Sequence, residues 1–287
     1  MGISNHRFNI RGGNKLMKSN KSKISVFLLI IFMALITSVG CQNKTTDEDD
    51  TIIVGMELAY PPFEMTDEQG NPTGISVDLA YAMGEYLGKK VQIENMAFGG
   101  LLPALQTQKI DVILSSMTIT PEREEAVDFS IPYASSNLAM LINKDSDVSV
   151  FDDLNVNGKI LAVKKGTTGH IYAQTHLPNA TINVFEKETA CVLEVTQGKA
   201  DAFIYDQMTI YKNWKNNLET TKSNLAPFQE NPENWGMALR SGEDELRQEI
   251  NKFIKKYKEN GGFDKLADKY LEEQKKLFDE LGIPFFF

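Results

Sequence analysis

The chain has 287 residues, 42% hydrophobic and 24% charged, the composition of a globular protein with a substantial core. Thirty basic residues against 39 acidic ones leave a net charge of −9, which argues against a nucleic-acid-binding role. Two cysteines, Cys41 and Cys191, make no disulfide framework, and with only three histidines they make no zinc site.

Residues 1–23 carry Arg7, Arg11, Lys15, Lys18, Lys21 and Lys23 and no acid. Val26 to Ile36 then forms an apolar run of eleven residues, about half the ~20 needed to cross a bilayer core. A basic segment, a short apolar segment and the small residues Thr37, Ser38 and Gly40 describe an export signal over 1–40. Cys41 follows at once. Small residues ending in cysteine resemble the lipobox of bacterial lipoproteins, which implies that Cys41 is lipidated and anchors the protein to a membrane. Ser38 departs from that pattern, which usually has Leu three residues before the Cys; an ordinary secretion signal is the other reading. Removal of 1–40 leaves 24 basic and 39 acidic residues, or −15. Residues 41–51 are polar and acidic and read as a solvated tether. Cys191 is then an unpaired thiol, expected to be buried.

In the body, strand-like and helix-like patterns alternate. Residues 51–56 (TIIVGM) read as strand, 75–87 as an amphipathic helix, 91–95 as strand, 101–106 as helix and 111–115 (DVILS) as a buried strand. Residues 160–163, 182–185 and 202–205 are three more short apolar runs, each followed by a helical pattern. WGMAL (235–239) reads as the last strand, before helices over 243–257 and 263–271 split by Gly261-Gly262. The alternation argues for an α/β fold with parallel pairing. Two such series in one chain suggest two lobes, with ligands bound beyond the carboxyl ends of the strands.

Those strand ends carry the chemistry. The first leads into Glu57-Leu-Ala-Tyr60-Pro-Pro-Phe63-Glu, where two prolines make a rigid loop that presents Tyr60 and Phe63 or buries them. After DVILS come Ser115, Ser116, Thr118 and Thr120-Pro121, an N-cap and first helical position that put Arg123 in a first helical turn. Hydroxyls, free backbone N–H groups and a fixed guanidinium there suit a carboxylate; a solvated arginine balanced by Glu122, Glu124 and Glu125 is the bland alternative. Gly166-Thr167-Thr168 after the 160–163 strand is a second turn into a helix, suited to an anion's other oxygen. Asp206 beyond the 202–205 strand can accept an ammonium group or cap the next helix. Together these groups complement a zwitterionic α-amino acid. No Ser-His-Asp, Cys-His, metal or phosphate-loop constellation accompanies them, and no cofactor or metal is expected.

Tyr60-Pro-Pro-Phe63-Glu, Gly74-Ile-Ser-Val-Asp78-Leu, Phe98-Gly-Gly-Leu-Leu-Pro-Ala-Leu, Asp111 through Arg123, Gly166-Thr-Thr and Tyr205-Asp206 recur in order and spacing over residues 51–272. In these the body resembles the extracytoplasmic solute-binding proteins, family 3, that serve polar-amino-acid ABC importers. The resemblance implies two lobes, each a mixed sheet flanked by helices, joined by two hinge strands at 137–144 and 227–233. Residues 52–138 and 232–287 would form lobe 1, and 139–231 lobe 2. It implies that Arg123 holds the ligand carboxylate with Ser115, Ser116, Thr118, Thr167 and Thr168, and that Asp206 takes the ammonium. Tyr60 and Phe98 sandwich the ligand side chain, with Phe63 beside them, and Glu57 meets its polar end. Glu57 favours Arg, Lys, His or Gln over Asp or Glu, unless it pairs with a lysine. Ser76 stands where the family usually has an acid and is expected near the surface. The implied protein is a monomeric extracytoplasmic lipoprotein that delivers a polar amino acid to an ABC permease and is not an enzyme. A ligand-sensing receptor subunit and a cyclohexadienyl-dehydratase-like enzyme on the same fold are the alternatives.

Overall fold

The computed structural model describes residues 50–282 and 286–287; the export signal and Cys41 lie outside them. The chain opens with β1 (Thr51–Met56), the ribbon β2 (Met65–Thr66) and β3 (Pro72–Thr73), and helix α1 (Ile75–Leu87). It continues through β4 (Lys90–Asn95), α2 (Leu101–Gln106), β5 (Val112–Ile113), the single turn α3 (Pro121–Glu124) and β6 (Asp128–Phe129). β7 (Ala134–Ser136) leads to β8 (Leu138–Asn143), β9 (Ile160–Lys164), α4 (Thr168–His176) and β10 (Thr181–Phe185). α5 (Glu188–Thr196), β11 (Ala202–Asp206), α6 (Gln207–Asn216) and β12 (Thr221–Asn224) complete that half. The chain returns through β13 (Glu233–Trp235) to β14 (Ala238–Leu239) and ends in α7 (Asp244–Glu259), α8 (Gly262–Tyr270) and α9 (Glu272–Leu281).

Two five-stranded sheets result, ordered β4-β1-β5-β14-β6 and β10-β9-β11-β8-β12. In the first, β1 runs parallel to β4 and β5, while β14 is antiparallel to β5 and β6. In the second, β9 runs parallel to β10 and β11, while β8 is antiparallel to β11 and β12. The fold is thus the two-lobed α/β architecture with mixed sheets. Strand alternation alone suggested parallel pairing; the antiparallel members are the strands that carry the chain between lobes or back again.

Local sequence explains the elements. Val77, Leu79, Ala80 and Met83 bury one face of α1, which stops at Gly88 in the left-handed conformation. α7 places Asp244 and Glu245 in its first turn and Lys256 and Lys258 in its last, matching the helix dipole. β8 is buried at all six positions because α6 contacts that strand while β11 and β12 flank it.

Three expectations are revised. Leu138–Asn143 is an interior strand of the second sheet, so the first crossing is β7 rather than 137–144. β7 pairs with β13, Ser136 opposite Glu233 and Ala134 opposite Trp235. WGMAL is not one strand, because Gly236 leaves the ribbon to donate to the Met117 carbonyl at 3.0 Å. DVILS pairs only at Val112 and Ile113, after which the chain turns into the site.

Gly74 locks the loop that carries Tyr60. It sits at φ 120°, and a Cβ there would lie 2.5 Å from the Phe63 carbonyl oxygen and 2.8 Å from that of Pro62. Gly74→Ala is therefore expected to cost about 1–3 kcal/mol, or roughly 2–12 °C in melting temperature, read by calorimetry.

Candidate functional site

The cavity between the sheets opens beyond the carboxyl ends of β1, β5, β9 and β11. Glu57, Tyr60, Phe98, Ser115, Ser116, Thr118, Arg123, Thr167, Thr168 and Asp206 all line it. Glu64, Leu138, Tyr205, Glu233 and Trp235 complete the wall. These side chains leave only about 40 Å³ for the centres of water-sized molecules, room for about three waters.

Phe63 is the one expected site residue that does not line the cavity. The turn after the prolines, with Phe63 N donating to the Tyr60 carbonyl at 2.9 Å, directs its ring inward. It is 1% exposed, stacked beneath Tyr60 at 5.3 Å and edge-on to Trp235 at 4.9 Å. Phe63 supports the wall; Tyr60 is the wall.

One end of the cavity is built for an anion. Thr120 caps α3 by accepting from Arg123 N at 3.3 Å, which turns the Arg123 side chain inward, where it is 5% exposed. Its guanidinium donates to the Thr118 carbonyl at 2.5 Å and, across the cleft, to the Gly166 carbonyl at 3.0 Å. Burial pushes the Arg123 pKa down to about 10, so the group stays cationic at neutral pH. Gly166, at φ 75°, presses against Gly99 of the opposite lobe, where a Cβ would meet the Gly99 Cα at 3.3 Å. Thr167 caps α4, accepting from His170 N at 3.3 Å and donating to the Lys164 carbonyl at 2.8 Å. Glu233, from the second crossing, accepts from the Thr118 hydroxyl at 3.2 Å beside this pocket, and burial raises its pKa.

Asp206 supplies the opposite charge. Its Oδ1 accepts from Thr209 N at 2.9 Å, capping α6. Its Oδ2 is buried and has no partner in good hydrogen-bond geometry, although the Tyr60 hydroxyl is near enough to favour the ionised form. Burial is the larger effect and raises the Asp206 pKa. The helix-cap and ligand roles are therefore not exclusive: each takes one oxygen.

The third end holds an ion pair that the strand pattern did not single out. Lys164, the last residue of β9, donates to Glu57 across the cleft. Their side chains are 3% and 12% exposed, and the ammonium lies 5.7 Å from the Phe98 ring and 5.8 Å from that of Tyr205. Glu57 is thus not a bare carboxylate awaiting a cation. A lysine directly beyond an apolar strand was a visible signal, obeying the same rule that picked out Asp206.

Glu64, below the loop, is 1% exposed and accepts from Ser76 at 2.6 Å, Ser116 at 3.1 Å and Ser115 at 3.4 Å. Burial outweighs these donors and pushes its pKa up to about 8. Ser76 is accordingly not near the surface. It is 1% exposed, because its N–H donates to the Phe63 carbonyl at 2.7 Å and ties α1 under the loop.

Residues 52–273 match the model of the bacterial extracellular solute-binding proteins, family 3. The chain belongs to that family. Among its relatives, the L-cystine-binding protein TcyJ of Escherichia coli K12 is 26% identical over 231 residues, 80% of this chain and 86% of TcyJ. The crystal structure of an ancestral amino-acid-binding protein, a precursor of cyclohexadienyl dehydratase, superposes with a TM-score of 0.69 at 36% identity, covering 78% of this chain and 97% of that one. An ancestral arginine-binding protein bound to glutamine gives 0.70 at 34% identity, covering 77% and 98%.

Glu64 imposes a pH dependence on this family member. Its folded pKa of about 8 exceeds the ordinary 4.5, so the folded chain holds a proton that the unfolded chain releases. Stability from this group is full below about 4.5 and is lost as pH rises through about 8, on the order of a few kcal/mol. Glu64→Gln is expected to flatten denaturation midpoints measured between pH 5 and 8.5; an unchanged slope would remove Glu64 as the source.

Proposed function

We propose that this protein captures one polar amino acid in the interlobe cavity and delivers it, outside the cytoplasm, to an ABC importer. The observation that carries this reading is the pairing of buried Arg123 with the unpartnered Oδ2 of Asp206 on the wall of one cavity. A carboxylate-binding cation and an ammonium-binding anion, beside the aromatics Tyr60 and Phe98, complement the shared half of any α-amino acid. Ser115, Ser116, Thr118, Thr167 and Thr168 supply polar wall around the carboxylate. The two closing lobes are built around the two five-stranded sheets and meet at β7 and β13. Cys41 carries the lipid anchor, and the protein works as a monomer.

The Glu57–Lys164 pair sets the side-chain preference. A cationic ligand end would have to displace Lys164 from Glu57, and an anionic end would face Glu57 itself. A neutral amide satisfies both, accepting from the ammonium and donating to the carboxylate. We therefore place glutamine ahead of arginine on the strength of this pair alone; the ancestral arginine-binding protein is seen bound to either amino acid. Catalysis is not proposed: the dehydratase link runs through a precursor that is itself an amino-acid-binding protein.

A thermal-shift panel of the twenty amino acids on the full chain, refolded to strip bound ligand, tests the reading. A ligand at 100 times its Kd should stabilise by about 2.7 kcal/mol. The largest shift is expected with L-glutamine, and a panel with no shift for any amino acid would overturn the proposal. Arg123→Ala should weaken binding by about 2–5 kcal/mol, thirtyfold to several thousandfold, with the fold retained. Lys164→Gln should leave Glu57 free and raise L-arginine affinity relative to L-glutamine in titration calorimetry. An unchanged ratio would show that the pair does not govern selectivity.

A further inference from the structure

The family match ends at residue 273, while the chain runs on to Phe287. Phe286, in that extension, is 3% exposed and sits directly behind the ligand cavity. Its ring centroid lies 5.0 Å from Phe63, 5.8 Å from Trp235 and 5.3 Å from Phe278 of α9. Its carbonyl accepts from Ser135 N at 2.8 Å. Ser135 belongs to β7 and Trp235 to β13, the two paired strands by which the chain crosses between lobes.

One residue outside the family match thus holds both crossings, one by its backbone and one by its ring. Its ring also reaches both aromatic walls, since Trp235 lines the cavity itself and Phe63 stacks beneath Tyr60. Phe287 does something different: its ring stacks at 5.2 Å on Phe263 of α8, away from the crossings.

We propose that Phe286 is a positioning residue for ligand binding, holding Trp235 and the Phe63–Tyr60 stack in place and tying the Ser135 end of the hinge ribbon. It touches no ligand. Its effect is to preset the cavity wall and confine lobe rotation to the crossing residues it does not hold. Preset walls need no ordering when the ligand arrives, so affinity rises without a new contact. The proposal rests on the amino-acid-binding reading for its affinity arm alone.

The chain has two tryptophans, and Trp214 lies on α6 outside the cavity, so Trp214→Phe makes Trp235 the sole reporter. In that background we would compare the full chain with Phe286→Ala, Phe286→Leu and Phe287→Ala. The readouts are Trp235 emission without ligand, melting temperature, and L-glutamine and L-arginine affinity by calorimetry. Phe286→Ala is expected to red-shift Trp235 emission and weaken binding of the preferred amino acid by about tenfold or more. Phe286→Leu should recover most of both, and it also serves if the alanine variant does not fold. Phe287→Ala should lower the melting temperature while changing neither emission nor affinity. Affinity within about twofold of the parent in Phe286→Ala, or equal weakening in Phe287→Ala, would reduce Phe286 to a general core residue and overturn the proposal. If the parent binds neither amino acid, the binding reading falls separately. The emission arm then decides, with an unchanged Trp235 spectrum overturning the positioning role.

Discussion

A buried guanidinium must be surrounded by acceptors, and Arg123 finds one in each lobe. The Thr118 carbonyl belongs to its own side of the cleft and the Gly166 carbonyl to the other. Placing a full charge at 5% exposure is unfavourable unless such partners exist, so the surrounding backbone is organised to provide them. The Thr120 cap turns Arg123 inward, the left-handed Gly166 offers its carbonyl, and the close approach of Gly166 to Gly99 brings the two lobes within reach. The rest of the cavity follows from that meeting point. Asp206 stands at the end of β11 and Lys164 at the end of β9, both placed by strands that stop on the same side of the second sheet.

Charge is balanced locally around the cavity. Lys164 answers Glu57, Glu233 lies beside Arg123, and burial pushes Glu64, among three serine hydroxyls, toward its neutral form. Among the described residues that line the cavity, Asp206 keeps a buried oxygen without a hydrogen-bond partner. An unsatisfied buried polar atom is unfavourable in a resting protein, so its presence in a cavity wall calls for an explanation. The site therefore shows its incompleteness at one atom.

Much of this was legible in the residues themselves. The residues that face the cavity lie just beyond apolar strands or at helix starts, positions that short-range sequence rules identify, and Arg123, Thr167 and Asp206 were found that way. Phe63 was misplaced because a rigid Pro-Pro loop fixes the spacing of two aromatics but not which of them turns inward. That choice is made by Trp235 and Phe286, more than 170 residues away. Glu64 and Ser76 escaped for the same reason, since a hydrogen bond between a loop and a helix start has no periodic signature. The hinge was displaced because β8 is apolar up to its last residue, Asn143, which marks an interior strand as readily as a connection.

The Glu57–Lys164 pair and the Arg123–Gly166 hydrogen bond join the lobes directly, leaving space for only about three waters. A chain that can hold its lobes together in this way must release both links before the cleft can widen for a ligand. Association is then gated by how often the cleft opens, and apparent affinity equals the intrinsic value reduced by the fraction of open molecules. Substitutions that loosen the links would quicken capture and also quicken escape. The strength of one ion pair would thus bear on residence time as well as on what the cavity recognises.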